Sequence, residues 1–256
     1  VDEVDAPAIQ RAVLPIWLTK AETARRVRQR IGVVLDFAHG KGWRKSEAPM
    51  RALNQLLGGL NQPKGTNFSA MPYKQLPNFM TKLRDGEFSV GRLALQFLVL
   101  TAARSGEVRK ARCRDLDLEA AEWRVPPENA KTFRLHIVPL APAAMEILES
   151  LREVLAAKPD NLVFPGLKGV MSDATLTKVL RVGGGAEFTV HGFRSSFRDW
   201  AAGTGFADAW AEAALTHINP NRTESAYKRT TYFEHRKDKL MPAWASFVTG
   251  RRDKVV

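Results

Sequence analysis

The chain has 256 residues, with 39 Lys and Arg against 27 Asp and Glu, a formal net charge of +12. Hydrophobic residues make up 45%, which suits a packed core and argues against a disordered chain. The single cysteine, Cys113, excludes a disulfide framework and a multi-cysteine zinc site, and no apolar run reaches the roughly 18 residues of a membrane span.

This length predicts one large domain or two smaller ones. The first residues, VDEVDAPAIQ, carry no signal pattern and no initiator Met, and read as part of a longer protein. The positive surplus is spread along the chain, +4 over residues 1–62 and +8 over 63–256. Such a surplus is the electrostatic footprint of a nucleic-acid partner, although charge does not separate DNA from RNA.

In chain order, the first helix is predicted over 19–39. Thr19 and Glu22 form a capping-box pattern, and Val27, Ile31, Val34, Leu35 and Ala38 make one apolar stripe. Arg25, Arg26 and Arg28 point away from that stripe. A second helix is predicted near 47–60. The stretch NQPKGTNFSAMP (61–72) has turn-formers and no periodicity, and its residues 63–72 read as an interdomain linker. Helices follow near 75–84 and 89–103, the latter very apolar and read as buried. Residues 123–125 and 135–140 read as strands of a small antiparallel sheet, with a hairpin around 126–134. Helices are expected at 142–157 and 172–182, with VFPG (163–166) extended between them. Four more are expected near 190–202, 207–216, 222–229 and 232–248. The fold class is therefore mainly α with a small antiparallel β-sheet.

Four local patterns carry chemistry: TAARSGEV (101–108), NAKTFRLHIVPL (129–140), HGFRSSFRDW (191–200) and LTHINPNRTESAYKR (215–229). Two guanidiniums can grip the non-bridging oxygens of one phosphate and stabilise charge growing at phosphorus. A lysine on a hairpin can protonate a departing sugar oxygen, and a histidine can take a proton from an attacking hydroxyl. A tyrosine can supply that hydroxyl, given a base and nearby cations, because its free pKa is near 10. Each residue alone has an ordinary structural explanation. The ordered set Arg, Lys, His-x-x-Arg, His, Tyr is far more specific. It supplies enough positive charge to work without a metal, and no carboxylate cluster of a two-metal nuclease is visible.

Over residues 70–250 the chain resembles the tyrosine recombinase (phage integrase) family, in particular the integrases of prophages, satellite phages and genomic islands. Thr101, Arg104, Gly106 and Glu107 match the family's T-x-x-R-x-G-E pattern. Lys131 matches the hairpin lysine, His191 and Arg194 the His-x-x-Arg box, His217 the later His or Trp position, and Tyr227 the nucleophile. Residues 1–62 resemble the later part of the family's helical core-binding domain, and residues 73–256 its catalytic domain.

The resemblance implies strand cleavage and rejoining through a 3′-phosphotyrosyl intermediate, integrating or excising a mobile element. Arg104 and Arg194 bind the phosphate, Lys131 is the general acid, His191 assists proton transfer, His217 helps hold the phosphate and Glu107 orients Arg104. It implies no cofactor, double-stranded attachment-site DNA as partner, contacts from Arg25, Arg26 and Arg28, and a homotetramer on synapsed DNA. Accessory DNA-bending proteins and a bacterial, cytoplasmic, nucleoid-associated location are further expectations. Two departures stand out. Tyr227 follows His217 by ten residues, one more than in many recombinases, and Thr216 stands where many relatives have glycine or alanine.

Three readings stay open. Tyr232 is a second candidate nucleophile, while Tyr73 reads as a packing residue. The apolar stripe of the last helix (Phe233, Leu240, Met241, Trp244, Phe247) either packs on its own domain or docks on a neighbouring protomer. A type IB topoisomerase-like strand breaker and a non-catalytic DNA-binding protein on the same fold are the alternative functions.

Overall fold

The computed structural model describes residues 1–63, 69–216 and 229–251. The chain divides into two compact units, Val1–Asn67 and Phe68–Val256.

Among the described residues, three helices build the first unit: α1 (Ala6–Trp17), α2 (Ala21–Gly40) and α3 (Met50–Leu57). The first of them is absent from the sequence reading, which begins at residue 19. Its signals are present: Asp5 accepts from the Ala8 N–H at 2.8 Å as an N-cap, and proline stands in the first turn. Pro15 inside the helix obscured the pattern. Ile9, Val13 and Trp17 meet Ala24, Leu35, Leu53 and Leu57 in a small core.

Two expectations for α2 are corrected. Thr19 caps nothing; its hydroxyl donates to the Pro15 carbonyl at 3.4 Å, and the helix starts after Lys20 with no side-chain cap. Val34 lies outside the buried stripe at 61% exposure, because it sits one residue, about 100° of helical turn, away from Leu35.

The second unit is organised around α5 (Val90–Thr101), whose residues 94–101 are all buried. It packs against α4 (Leu76–Asp85), α6 (Ser105–Lys110), α7 (Pro142–Glu149), α9 (Asp173–Val182) and the last helix (Met241–Thr249). A three-stranded antiparallel sheet, β1 (Leu116–Asp117), β2 (Glu122–Val125) and β3 (His136–Pro139), lies beside this core. Trp123 pairs in register with Val138, and its ring meets Phe97 at 5.5 Å. The β2–β3 hairpin was legible in sequence; β1, only two residues long, was not.

Residues 142–157, expected as one helix, form two. Helix α8 (Arg152–Ala157) follows a break where the Ser150 hydroxyl donates to the Ile147 carbonyl at 2.6 Å. This side-chain bond competes with continuation of the backbone ladder. The VFPG stretch contributes β4 (Pro165–Gly166), which pairs with β5 (Gly169–Val170). Helices α10 (Gly192–Gly203) and α11 (Asp208–Ala214) follow, and α11 stops two residues short of the expected end. Of the helix expected at 222–229, residues 222–228 lie outside the described residues. The chain is then helical from Arg229 to Thr249, with a five-residue π-helical turn over Arg236–Leu240.

The apolar stripe of the last helix packs within its own unit. Leu240, Met241, Trp244 and Val248 are each at most 1% exposed. The Trp244 Nε1–H donates to the Val99 carbonyl at 2.8 Å, and its ring lies 5.0 Å from Trp200 and 5.2 Å from Phe197. Tyr73 joins the same cluster against Phe247 at 5.9 Å. No helix among the described residues is long and apolar enough to cross a membrane. Trp244→Ala is expected to destabilise the protein by about 3–5 kcal/mol, the cost of emptying a buried indole site. Chemical denaturation checks this, and a loss below about 1 kcal/mol would show that the ring is not an anchor of its own unit.

Candidate active site

The site begins where α5 ends. Ala102 terminates the helix in the left-handed conformation, with φ of 50°, and so turns the chain back. Arg104 then stands at the N-cap of α6. Its backbone N–H donates to Glu107 Oε2 at 2.9 Å, and its guanidinium Nη1 donates to Glu107 Oε1 at 2.8 Å. Glu107 is only 3% exposed, so one carboxylate both closes the first turn of α6 and fixes Arg104. Thr101, the first residue of the motif, donates to the Phe97 carbonyl at 2.7 Å and serves the end of α5.

Helix α10 supplies the second arginine. Gly192 lets it approach residues 69–70: a β-carbon there would lie 2.4 Å from the Ser69 carbonyl oxygen. His191 sits at the N-cap of α10, and Arg194 lies one turn into the helix, 5% exposed. Arg194 Nη1 donates to the Ala102 carbonyl at 2.6 Å, and Nη2 to the Leu215 carbonyl at 2.5 Å.

The Leu215 carbonyl also accepts from Arg104 Nη2 at 3.2 Å. Two guanidiniums from different helices thus converge on one oxygen. The next residue, Thr216, takes the left-handed conformation with φ of 52°, and its hydroxyl accepts from Arg104 Nη1 at 2.6 Å. A β-branched residue is strained there, where glycine is not. Each guanidinium has five N–H donors, so both arginines keep donors for a further anion.

Basic groups crowd this centre. The His191 pKa is lowered by desolvation first, then by the positive charges of Arg194, Arg104 and Lys131. Lys131 lies in the β2–β3 hairpin, exposed to solvent. Arg194 is lowered to about 10, by its own burial first and by Arg104 next. The structure therefore brings Arg104, Glu107, Lys131, His191 and Arg194 together.

His217 and Tyr227 lie outside the described residues. Tyr232 is partly buried, and its carbonyl accepts from Arg236. Arg25, Arg26 and Arg28 belong to the first unit. Glu22 pairs with Arg25 at 3.5 Å and Arg26 at 2.8 Å, and Asn54 accepts from the Arg28 guanidinium.

Sequence reasoning missed two members. His136 on β3 is pushed down to about 3 by burial first, then by Arg236, Arg194 and Arg104, so it stays neutral. Arg236, 7% exposed, donates Nη1 to the Ala213 carbonyl at 3.3 Å. The available signal was weak: a histidine in an apolar strand and an arginine in a charged run, RKDK. Among the described residues no cluster of His, Cys, Asp and Glu could hold a metal ion.

Residues 70–234 match the phage integrase family, and residues 1–55 match the phage integrase central domain. The chain is 30% identical to the prophage integrase IntA of Escherichia coli (strain K12), over 97% of this chain and 60% of that protein. It is 29% identical to the integrase of enterobacteria phage P4, over 93% of this chain and 57% of that one. It thus spans about three fifths of the length of these relatives. A lambda integrase tetramer bound to a Holliday junction shares the fold, with a TM-score of 0.64 at 16% identity, covering 87% of this chain and 66% of that one. With the family's sequence profile covering most of the chain, and its arginines meeting in one place, this protein belongs to the phage integrase family.

Proposed function

We propose that the chain is a site-specific DNA recombinase of the tyrosine class, cutting and resealing strands to integrate or excise a mobile element. The observation that carries this reading is the convergence of Arg104 and Arg194 on the Leu215 carbonyl oxygen. A site that presents two guanidiniums to one oxygen is suited to two non-bridging phosphate oxygens, which such forks recognise bidentately.

In the proposed step, the Tyr227 phenol attacks phosphorus in line. An O–P bond to tyrosine forms and the bond from phosphorus to the 5′-oxygen breaks. The phenolic proton passes to His191, and the departing 5′-oxygen takes a proton from Lys131. Arg104 and Arg194 stabilise the charge that grows on the non-bridging oxygens, and His217 adds a hydrogen bond. The depressed pKa of His191 supports its part, because a neutral imidazole at pH 7 accepts a proton and an imidazolium does not. Removing either arginine should cost about 10²–10³ in rate, the usual scale for a preorganised donor.

The tyrosyl ester keeps the phosphodiester's bond energy, so resealing needs no nucleotide hydrolysis and exchange is nearly balanced. Direction must then come from outside the chemistry, for which DNA-bending accessory proteins are suited. The first unit would hold the duplex through Arg25, Arg26 and Arg28. Its phosphate contacts make affinity fall steeply with salt. A homotetramer on paired sites fits this scheme, as a lambda integrase tetramer is known bound to a Holliday junction. Action on DNA would make the bacterial nucleoid, in the cytoplasm, its place of work.

On a nicked duplex built from the end sequences of the element that encodes it, wild-type protein in EDTA should become trapped as a covalent adduct. Tyr227→Phe should abolish the adduct and leave DNA affinity within about threefold, while Tyr232→Phe retains it; the converse pattern would move the nucleophile to Tyr232. Adduct formation should also lose rate toward acid pH with a midpoint below 6.5, the ordinary histidine value, as His191 takes up a proton. His191→Gln should remove that limb. A midpoint at or above 6.5, or a limb that survives the substitution, would contradict the assignment.

A further inference from the structure

One buried cation has no part in the chemistry above. Arg236 opens the π-helical turn Arg236–Leu240, which joins the Arg229–His235 helix to the last helix. Such turns re-aim side chains and recur at functional sites. Among the described residues Arg236 meets no carboxylate. Its Nη1 donates to the Ala213 carbonyl and its Nε to the Tyr232 carbonyl, each at 3.3 Å, and the Phe233 ring lies 5.4 Å away. Beside it, the Trp210 and His235 rings stack with centroids 4.3 Å apart and planes 21° from parallel.

The placement of these contacts gives them meaning. Trp210 and Ala213 belong to α11 and to the approach to residues 217–228; His235 and Arg236 belong to the helical stretch that follows them. The two flanks of the segment containing His217 and Tyr227 are therefore fastened to each other. The same end of α11 offers the Leu215 carbonyl to Arg104 and Arg194. Two carbonyls there, Ala213 and Leu215, thus meet three guanidiniums, as expected for the negative end of a helix.

A neutral side chain could cap one carbonyl. A buried guanidinium is a costly choice for a mere strut, because it leaves water and meets no counter-ion among the described residues. That cost falls if an anion arrives nearby, and Arg236 shares with Arg194 and Arg104 an electrostatic influence on His136. Its planar fork also reaches two carbonyls from two elements, which a lysine cannot do with the same geometry.

We propose that Arg236 is a positioning residue for strand cleavage. By capping Ala213 it fixes the end of α11, and with it both the oxygen that sets the two phosphate-gripping arginines and the flanks of the segment that carries the nucleophile. The inference rests on the recombinase reading above.

The test uses the full chain and the nicked duplex of the element's end, with Arg236→Gln, Arg236→Lys and, as a stability control, Val248→Ala in the buried face of the last helix. Adduct rate at saturating DNA, DNA affinity and melting temperature are read for each. Arg236→Gln should slow the adduct step by about 10–100-fold, the scale of a misplaced reacting group, with affinity within threefold. Arg236→Lys should recover part of that loss, and Val248→Ala should keep the wild-type rate within threefold despite a lowered melting temperature. If Arg236→Gln is slowed no more than Val248→Ala, the inference is wrong while the recombinase reading stands. If the wild-type chain itself forms no adduct, the recombinase reading falls first.

Discussion

A single backbone oxygen organises the candidate site. The Leu215 carbonyl, just past the end of α11, accepts from Arg194 at 2.5 Å and Arg104 at 3.2 Å. Two guanidiniums repel each other, and Arg194 is buried enough to feel it. Something must hold them together before any substrate arrives, and the carbonyl end of a helix provides partial negative charge at no cost in titratable groups. Glu107 adds a full negative charge, tied to Arg104 at 2.8 Å. Because that carboxylate is buried, it also commits the arginine to one orientation, since neither partner can leave without exposing an unpaired charge in a dry place.

The surrounding packing serves this arrangement. The core around α5 fixes Ala102, whose carbonyl holds Arg194, and starts α6 at Arg104. The closeness of α10 to residues 69–70, possible only with glycine at 192, brings His191 and Arg194 to the same place. Preorganisation of this kind is where catalysis by fixed charge gets its strength, because the donors need not reorient during reaction. Thr216 adds a local feature: a strained residue whose hydroxyl occupies one Arg104 donor.

Much of this was legible in sequence. The β2–β3 hairpin and the buried α5 rest on short-range patterns, alternation and apolar runs, while the grouping of Arg104, Lys131, His191 and Arg194 rests on the resemblance of their motifs to the family's. What escaped depends on long-range contact. Neither the Leu215 carbonyl nor the Ala213 carbonyl has a side-chain signature, because backbone oxygens look alike in every sequence. His136 reads as one more strand residue until the fold brings it under the influence of three arginines. Arg236 sits among other charges, and only the fold separates it, buried, from exposed Lys239. Helix α1 was missed because a proline, normally a breaker, lies within it.

In the proposed reaction Arg104 and Arg194 together seat the scissile phosphate that Tyr227 attacks. The most direct measurement is a crystal structure with nicked duplex and orthovanadate, which mimics five-coordinate phosphorus. The account predicts vanadium bonded to the Tyr227 phenolic oxygen, with equatorial oxygens about 3 Å from both guanidiniums, in hydrogen-bonding range. Vanadate seated away from either arginine, or joined to water or to Tyr232, would contradict it.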